Sequence, residues 1–285
     1  ESRKEQVLEQ FSIVVCPIGF TPPKLPHTLD YMLFDNAEDI PESYSLLPMI
    51  RNPCPRIILF GDSKKYERVG VKRLRSLFER LMSCKAASLS LPPTQHRMCR
   101  EISDLVSGIF YQKDMTNLDR GDRNDGRENG PIFPNNQYTV MLHNLKKAQP
   151  SQSSQSSSLN LQEHEKNLVH YAIQLMTHWL SRSSDISVVK GKISILCWNR
   201  RQRNNLLSLI QRIPHQHLSS LCEVTTVREF SGKQNDYIIL LGPLTPNASS
   251  HPAYLDDVRK LHIGLTRARH LLHIVCNSSR MHRSD

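Results

Sequence analysis

The sequence predicts an α/β fold on a mostly parallel sheet. Short apolar runs bounded by Pro, Gly or Asp alternate with segments of helical periodicity. One of those segments is long and strongly patterned: Leu168, Val169, Ala172, Ile173, Leu175, Met176, Trp179 and Leu180 form an apolar stripe at helical spacing. At 285 residues the chain is also long enough for two domains, each with its own core.

Taken in order, the apolar runs Ser12–Cys16, Tyr31–Phe34 and Arg56–Phe60 read as strands, followed by helices at Val71–Met82 and Met98–Ile109. A strand at Tyr138–Leu142 precedes the patterned helix, Gln162–Leu180, whose stripe reads as a buried face rather than a ligand set. Then come a strand at Lys192–Cys197, a helix at Arg200–Gln211, strands at Glu223–Thr226 and Tyr237–Leu241, a helix at Leu255–Arg269 and a strand at Leu271–Val275. The polar stretches near 117–136 and 149–158 are too poor in apolar residues to offset the entropy of ordering and read as long surface loops. A composition break and Pro92-Pro93 divide the chain into residues 1–90 and 91–285.

Lys plus Arg number 37 against 27 Asp plus Glu, so the chain carries +10 and favours polyanionic partners. No run approaches the ~18 apolar residues of a membrane helix, and no membrane partner is expected. The first residue is Glu1 and no signal-peptide pattern follows, so we expect an intracellular chain, cytoplasmic or nuclear, that begins inside a longer protein. Seven scattered cysteines without a C-x-x-C pair suit a reducing compartment and argue against a zinc ribbon. His164-Glu165 and His170 suggest a metalloprotease motif, but histidines six apart do not share a helix face as ligands four apart do.

The most informative block is Leu265-Thr266-Arg267-Ala268-Arg269, running into the apolar Leu271–Cys276. Arginine is permanently charged and forks onto oxyanions, so it can stabilise charge that develops in phosphoryl transfer. Upstream, Asp35-Asn36-Ala37-Glu38 follows a strand, Ile57–Phe60 ends in Gly61-Asp62, and Ser76–Leu81 follows as a helix. Further on come Gln95-His96-Arg97-Met98 with Glu101-Ile102-Ser103 and Phe110-Tyr111, then Ile193–Cys197 with Gln202. Thr226-Val227 with Phe230 and Gly232 leads to Asp236–Leu241. These blocks, in this order and over nearly the whole chain, resemble superfamily 1 helicases of the subgroup containing the nonsense-mediated-decay helicase, senataxin and the immunoglobulin-mu-binding helicase.

The resemblance implies RecA-like domains of the P-loop NTPase kind: the end of a first domain in 1–90 and a complete second one in 91–285. It also implies ATP and Mg2+ in the parent protein and a single-stranded nucleic-acid partner, RNA in preference to DNA, with protein partners besides. Matched residue by residue, Arg97 and Arg267 stand where the family places its two arginine fingers. His96 stands where a Tyr stacks on the adenine, and Gln95 opens the same box. Gly232 belongs to a nucleotide-contacting box whose Glu is replaced by Gln234. Asp35 stands at the magnesium contact, Asn36 at the carboxylate that orients water, and Lys65 at the sensor Gln.

Asn can hydrogen-bond water but cannot take its proton, and such a loss costs ~10²–10⁴-fold in rate. No G-x-x-x-x-G-K-[ST] loop occurs in the chain. We therefore expect the chain by itself to be inactive and to bind no nucleotide tightly. Three functions stay open: a segment of a nucleic-acid-dependent ATPase or helicase, a degenerate helicase-like scaffold for RNA or proteins, and, with less support, a basic nucleic-acid binder without a nucleotide site. Without the resemblance, Asp35 reads equally as a loop cap, and Arg97, Arg267 and Arg269 as surface charge near helix ends. Trp198, Phe230 and Tyr237 are the candidates for base stacking and read equally as core.

Overall fold

The computed structural model describes residues 3–19, 24–25, 27–62, 75–84, 94–117, 138–145, 157–182, 191–212, 221–242 and 258–276. The chain divides into two compact units, Glu1–Leu91 and Pro92–Asp285.

In the first unit, helix α1 (Arg3–Leu8) precedes an irregular segment. Ser12–Cys16, expected as a strand, is not one. Ile13 is 80% and Val15 90% exposed, because an apolar run becomes a strand only when a neighbour completes its ladder. Strand β1 (Met32–Phe34) pairs in parallel with β2 (Ile57–Leu59). A single 3-10 turn, Ala37–Asp39, and helix α2 (Glu42–Arg51) connect them. The sequence reading missed α2 because Pro48 interrupts its pattern; the helix tolerates it within its last turn, and Asn52 N–H closes on Pro48 O at 2.9 Å.

Helix α3 (Leu77–Ser83) is shorter than the expected Val71–Met82, whose first residues lie outside those described. It opens on a reciprocal capping box between Ser76 and Glu79. Met32, Phe34, Ala37 and Ile40 form the small core of this unit, with Leu59 and Phe78 against it.

The second unit begins with two short parallel strands, β3 (Thr94–Gln95) and β4 (Thr116–Asn117), around helix α4 (Arg100–Phe110). A five-stranded, all-parallel sheet follows: β5 (Val140–Asn144), β6 (Ile193–Cys197), β7 (Cys222–Thr226), β8 (Asn235–Leu241) and β9 (Ala268–Cys276), in the order β5-β9-β8-β6-β7. Its helices are α5 (Ser157–Arg182), α6 (Arg200–Ile210) and α7 (Val258–Leu265). Helix α5 already includes Ser157 and Ser158, so the polar loop expected through 158 ends earlier.

Alternation along the central strands sorts the core into two layers. Ile193, Ile195, Cys197, Ile239 and Leu241 face the α5 and α6 residues Leu168, Ala172, Met176, Trp179, Leu206 and Ile210. Leu196, Ile238, Leu240 and Leu272 pack instead with Ile102 and Val106 of α4 and Ile263 and Leu265 of α7. The predicted stripe of α5 is thus buried, apart from half-buried Leu175 and from Leu180, whose side chain lies outside those described. Helix α7 stops at Leu265 rather than running to Arg269, because Thr266 Oγ1 and Arg267 Nε hydrogen-bond back to the carbonyls of His262 (2.8 Å) and Ile263 (3.1 Å). No helix among the described residues is long and apolar enough to cross a membrane.

Candidate functional site

The amino ends of β8 and β9 carry the largest convergence of predicted residues. Arg267 occupies the turn just before β9, and Gln234 lies just before β8. The chain reaches Gln234 through the turn after β7, where buried Phe230 anchors the backbone and Gly232 takes φ +84°, a conformation that L side chains rarely adopt.

Arg97 arrives on the segment between β3 and α4. Its course is set by Gln95, whose Oε1 accepts from the backbone N–H groups of Arg97 (3.0 Å) and Met98 (2.7 Å). The Gln95 amide nitrogen donates in turn to Met98 O (2.9 Å) and Asn117 Oδ1 (2.6 Å) of β4. Cys99 N–H then donates to Arg269 O at 2.8 Å, so the start of α4 is tied to β9.

Arg97 Nε donates to Gln234 Oε1 at 2.9 Å, and a terminal nitrogen donates to Thr266 O at 3.0 Å. Arg267, only 7% exposed, donates from Nε to Ile263 O (3.1 Å), from one terminal nitrogen to Lys233 O (3.2 Å) and from the other to Thr266 Oγ1 (3.0 Å). Every one of these acceptors is neutral. Burial pushes the Arg267 guanidinium down to about 10, and the Arg97 charge adds to the effect. Arg97 is lowered as well, first by burial and then by Arg269, whose own contact is Asp236 Oδ1 at 3.4 Å.

Gln95, Arg97, Gln234 and Arg267 therefore form one network, joined through Thr266. The sequence reading missed Thr266 as its centre: its carbonyl and hydroxyl each receive one arginine. His96 is exposed and takes no part in these contacts. Such an arrangement can receive an oxyanion, because a buried and a half-buried guanidinium are held in place with no carboxylate among the described residues bonded to either.

At the carboxyl end of the sheet, Gln202 is fully buried. It accepts from Trp198 N–H at 2.8 Å and donates to Gly242 O at 3.0 Å, joining the ends of β6 and β8. Arg203 and Glu229 pair at 2.8 Å beside it. Trp198, Phe230 and Tyr237 are all buried in the two core layers, so the core reading of these aromatics holds over base stacking.

In the first unit, Asp35 is exposed at the end of β1, and its Oδ1 accepts from Asn36 N–H at 2.9 Å. Asn36 takes the left-handed conformation, φ 49° and ψ 45°. Ala37 N–H then donates to Phe60 O at 2.7 Å. The neighbouring Gly61 admits a close approach: a Cβ there would stand 2.7 Å from Glu38 Oε2 and 3.0 Å from the Phe78 ring. Lys65 lies outside the described residues.

Around the discounted histidine motif, Glu165 is buried against Arg201 at 3.1 Å, and exposed His170 contacts Lys166 O at 2.8 Å. No group of three or more His, Cys, Asp or Glu among the described residues could hold a metal ion.

A family profile described as an AAA domain matches residues 74–279. The helicase sen1 of Schizosaccharomyces pombe is 24% identical over 261 residues, covering 89% of this chain and 15% of that protein. The regulator of nonsense transcripts 1 of Dictyostelium discoideum is 27% identical over 280 residues, 93% of this chain and 20% of its own. The ATP-dependent helicase NAM7 of Saccharomyces cerevisiae is 25% identical over 289 residues, 98% and 28%. The chain thus spans between a seventh and about three tenths of the length of these relatives. A solved C-terminal domain of a possible DNA helicase from Lactobacillus is 12% identical, with a TM-score of 0.36, covering 64% of this chain and 88% of that one. The chain belongs to this AAA domain family, as a C-terminal helicase region of the superfamily 1 type that includes the nonsense-decay helicase and senataxin.

Proposed function

We propose that this chain is the helicase-like segment of a nucleic-acid-dependent ATPase acting on single-stranded RNA or DNA, and that its arginine pair receives the terminal phosphates of ATP. One observation carries the reading: Arg97 and Arg267, far apart in sequence, meet at Thr266, and their hydrogen-bond acceptors among the described residues are all neutral. Arginines so held match the template for phosphoryl transfer, in which fixed cations stabilise charge on the transferred group. Two of five N–H groups of Arg267 and three of Arg97 are not engaged by the contacts above, which fits a second, anionic partner.

Magnesium would supply charge neutralisation for a polyphosphate, and in the first unit Asp35 is the residue that would hold it. Asp35 fits it as a single carboxylate ligand, because one oxygen accepts the Asn36 N–H and the other faces no described donor. On this reading Gln95 positions Arg97, Gly232 and Gln234 shape the approach, and exposed His96 offers a ring to the base. Single-stranded nucleic acid, RNA in preference to DNA, is the partner, consistent with the +10 charge. An intracellular location, cytoplasmic or nuclear, goes with that partner.

A second reading is a degenerate module that binds RNA or protein without turnover. Asn36 favours it, since an amide cannot act as the base, and so does Lys65 at the sensor position. The two readings separate on hydrolysis. For the 285-residue chain we expect no ATP turnover with or without single-stranded RNA, and RNA-stimulated turnover would overturn that expectation. In the parent protein, Asn36→Glu is expected to raise hydrolysis if the ATPase reading holds. A flat response means that Asn36 is not the sole defect.

A further inference from the structure

Strand β5 lies at one edge of the five-stranded sheet, with β9 as its partner among the described residues, and Leu142 on one of its faces is 62% exposed. An edge strand with an exposed face has less buried contact to hold it, and local opening starts where such contact is least. His143, on the opposite face, supplies a different fastening. Its Nδ1 meets the Tyr171 hydroxyl of α5 at 2.9 Å, and its Nε2 meets His273 Nδ1 of β9 at 2.9 Å. The three groups thus make one chain of hydrogen bonds from helix to edge strand to sheet interior. His273 is only 2% exposed, and its other nitrogen, Nε2, is buried with no hydrogen-bond partner among the described residues.

A bond between two ring nitrogens needs one N–H and one lone pair, which two neutral imidazoles provide in either direction. Protonation removes that match. A charged His273 carries N–H on both nitrogens, and the one on Nε2 has no acceptor. A charged His143 places a cation beside a buried ring, and charging both rings sets N–H against N–H. No counter-charge among the described residues relieves this. The titratable groups facing the pair are Tyr171 from α5 and, from β5 and β9, each other's rings; the β8 residue in register with His273 is Ile239. Elsewhere on α5, Glu165 pairs with Arg201, while Lys166, His170 and His178 are exposed. Cys276 of β9 is buried and stands in register with Asn144. Burial lowers the values of both rings, and His143 lowers His273 further.

We propose that Tyr171, His143 and His273 form a latch that fastens edge strand β5 to β9 and α5 only while both rings are uncharged, so that acid frees β5 ahead of the opposite edge of the sheet. A ring held neutral by the fold contributes stability that is complete above its unfolded value of about 6.5 and is lost as pH falls below it. The latch is therefore closed at neutral pH and opens in acid. None of its residues belongs to the arginine network, so it stands or falls apart from the nucleotide reading.

The test is amide hydrogen exchange of the 285-residue chain at pH 7 and at pH 5, each rate divided by that of an unstructured peptide at the same pH. Strand β7, at the other edge, is the internal reference, because its local opening leaves both histidines in place. Protection of β5 is expected to fall about tenfold or more between the two pH values, as when opening lets one histidine recover its ordinary value. Over the same range β7 should change by less than about threefold. In His143→Gln and in His273→Leu, β5 should likewise change by less than about threefold, and either variant suffices should the other fail to fold.

Equal losses in β5 and β7 would overturn the latch, since acid would then be loosening the whole sheet. So would a β5 loss that persists undiminished in the variants, which would leave the histidines a packing role alone. Ring-nitrogen NMR shifts showing both histidines charged at pH 5 while β5 stays protected would overturn it as well.

Discussion

At Asn36 the backbone lies in the left-handed region, where Asn is several-fold more common than most residues and Gly is unstrained. The residue that removes the candidate base is therefore also one that suits the local chain. We predict that Asn36→Gly leaves stability nearly unchanged, whereas Asn36→Glu costs about 1 kcal/mol, measured by denaturant unfolding. Equal stability of the Glu variant would show that the conformation imposes no such preference. Any hydrolysis measured on Asn36→Glu is accordingly to be normalised to folded protein. Among single residues, Arg97 and Arg267 were legible as motif positions. That they share Thr266, across 169 residues between Arg97 and Thr266, was not, since no local pattern encodes it. The neutral surroundings of the pair were equally invisible, because they consist mostly of backbone carbonyls.

Between elements, β5, β9 and α5 meet around two histidines. His143 Nε2 and His273 Nδ1 lie 2.9 Å apart, and His143 Nδ1 contacts the Tyr171 hydroxyl at 2.9 Å. The His273 ring stands edge-on to Trp179 at 4.7 Å. Burial pushes His273 down to about 3, with His143 adding to it, and burial lowers His143 as well. Because the fold favours the neutral rings, their contribution is complete above the unfolded-state value of about 6.5 and is lost as pH falls toward 3. The thermal midpoint is expected to drop between pH 6.5 and 4, and to drop less in His273→Leu. A variant whose pH profile parallels wild type would remove these histidines from the account.

Element prediction succeeded where periodicity was strong and tertiary context agreed, as in α5, β6 and β8. It failed at Ser12–Cys16, whose apolar run has no partner strand among the described residues. At α7 it overran, because side-chain bonds to the last carbonyls end the helix before Arg267.

Across the molecule the two units differ in how they are held. Strands β6 and β8 are central in a five-stranded sheet and packed on both faces. Strands β1 and β2 have three residues each, and Leu33, Ile57 and Ile58 are exposed. Local opening follows buried contact, so the amides of β6 and β8 should outlast those of β1 and β2 in hydrogen exchange by on the order of tenfold or more. Uniform protection would mean that the first unit is as firmly held as the second.

Taken alone, the amino-acid order settled the α/β class, the helicase-type family and the identity of the residues at each motif. Those depend on local periodicity and on short strings read along the chain. Only the folded chain decided that Gln95, Arg97, Gln234 and Arg267 converge at the amino ends of β8 and β9, that their charges meet neutral oxygens, and that Asn36 turns left-handed. Strand register, backbone dihedrals and desolvation arise between residues distant in sequence, and no window along the chain contains them.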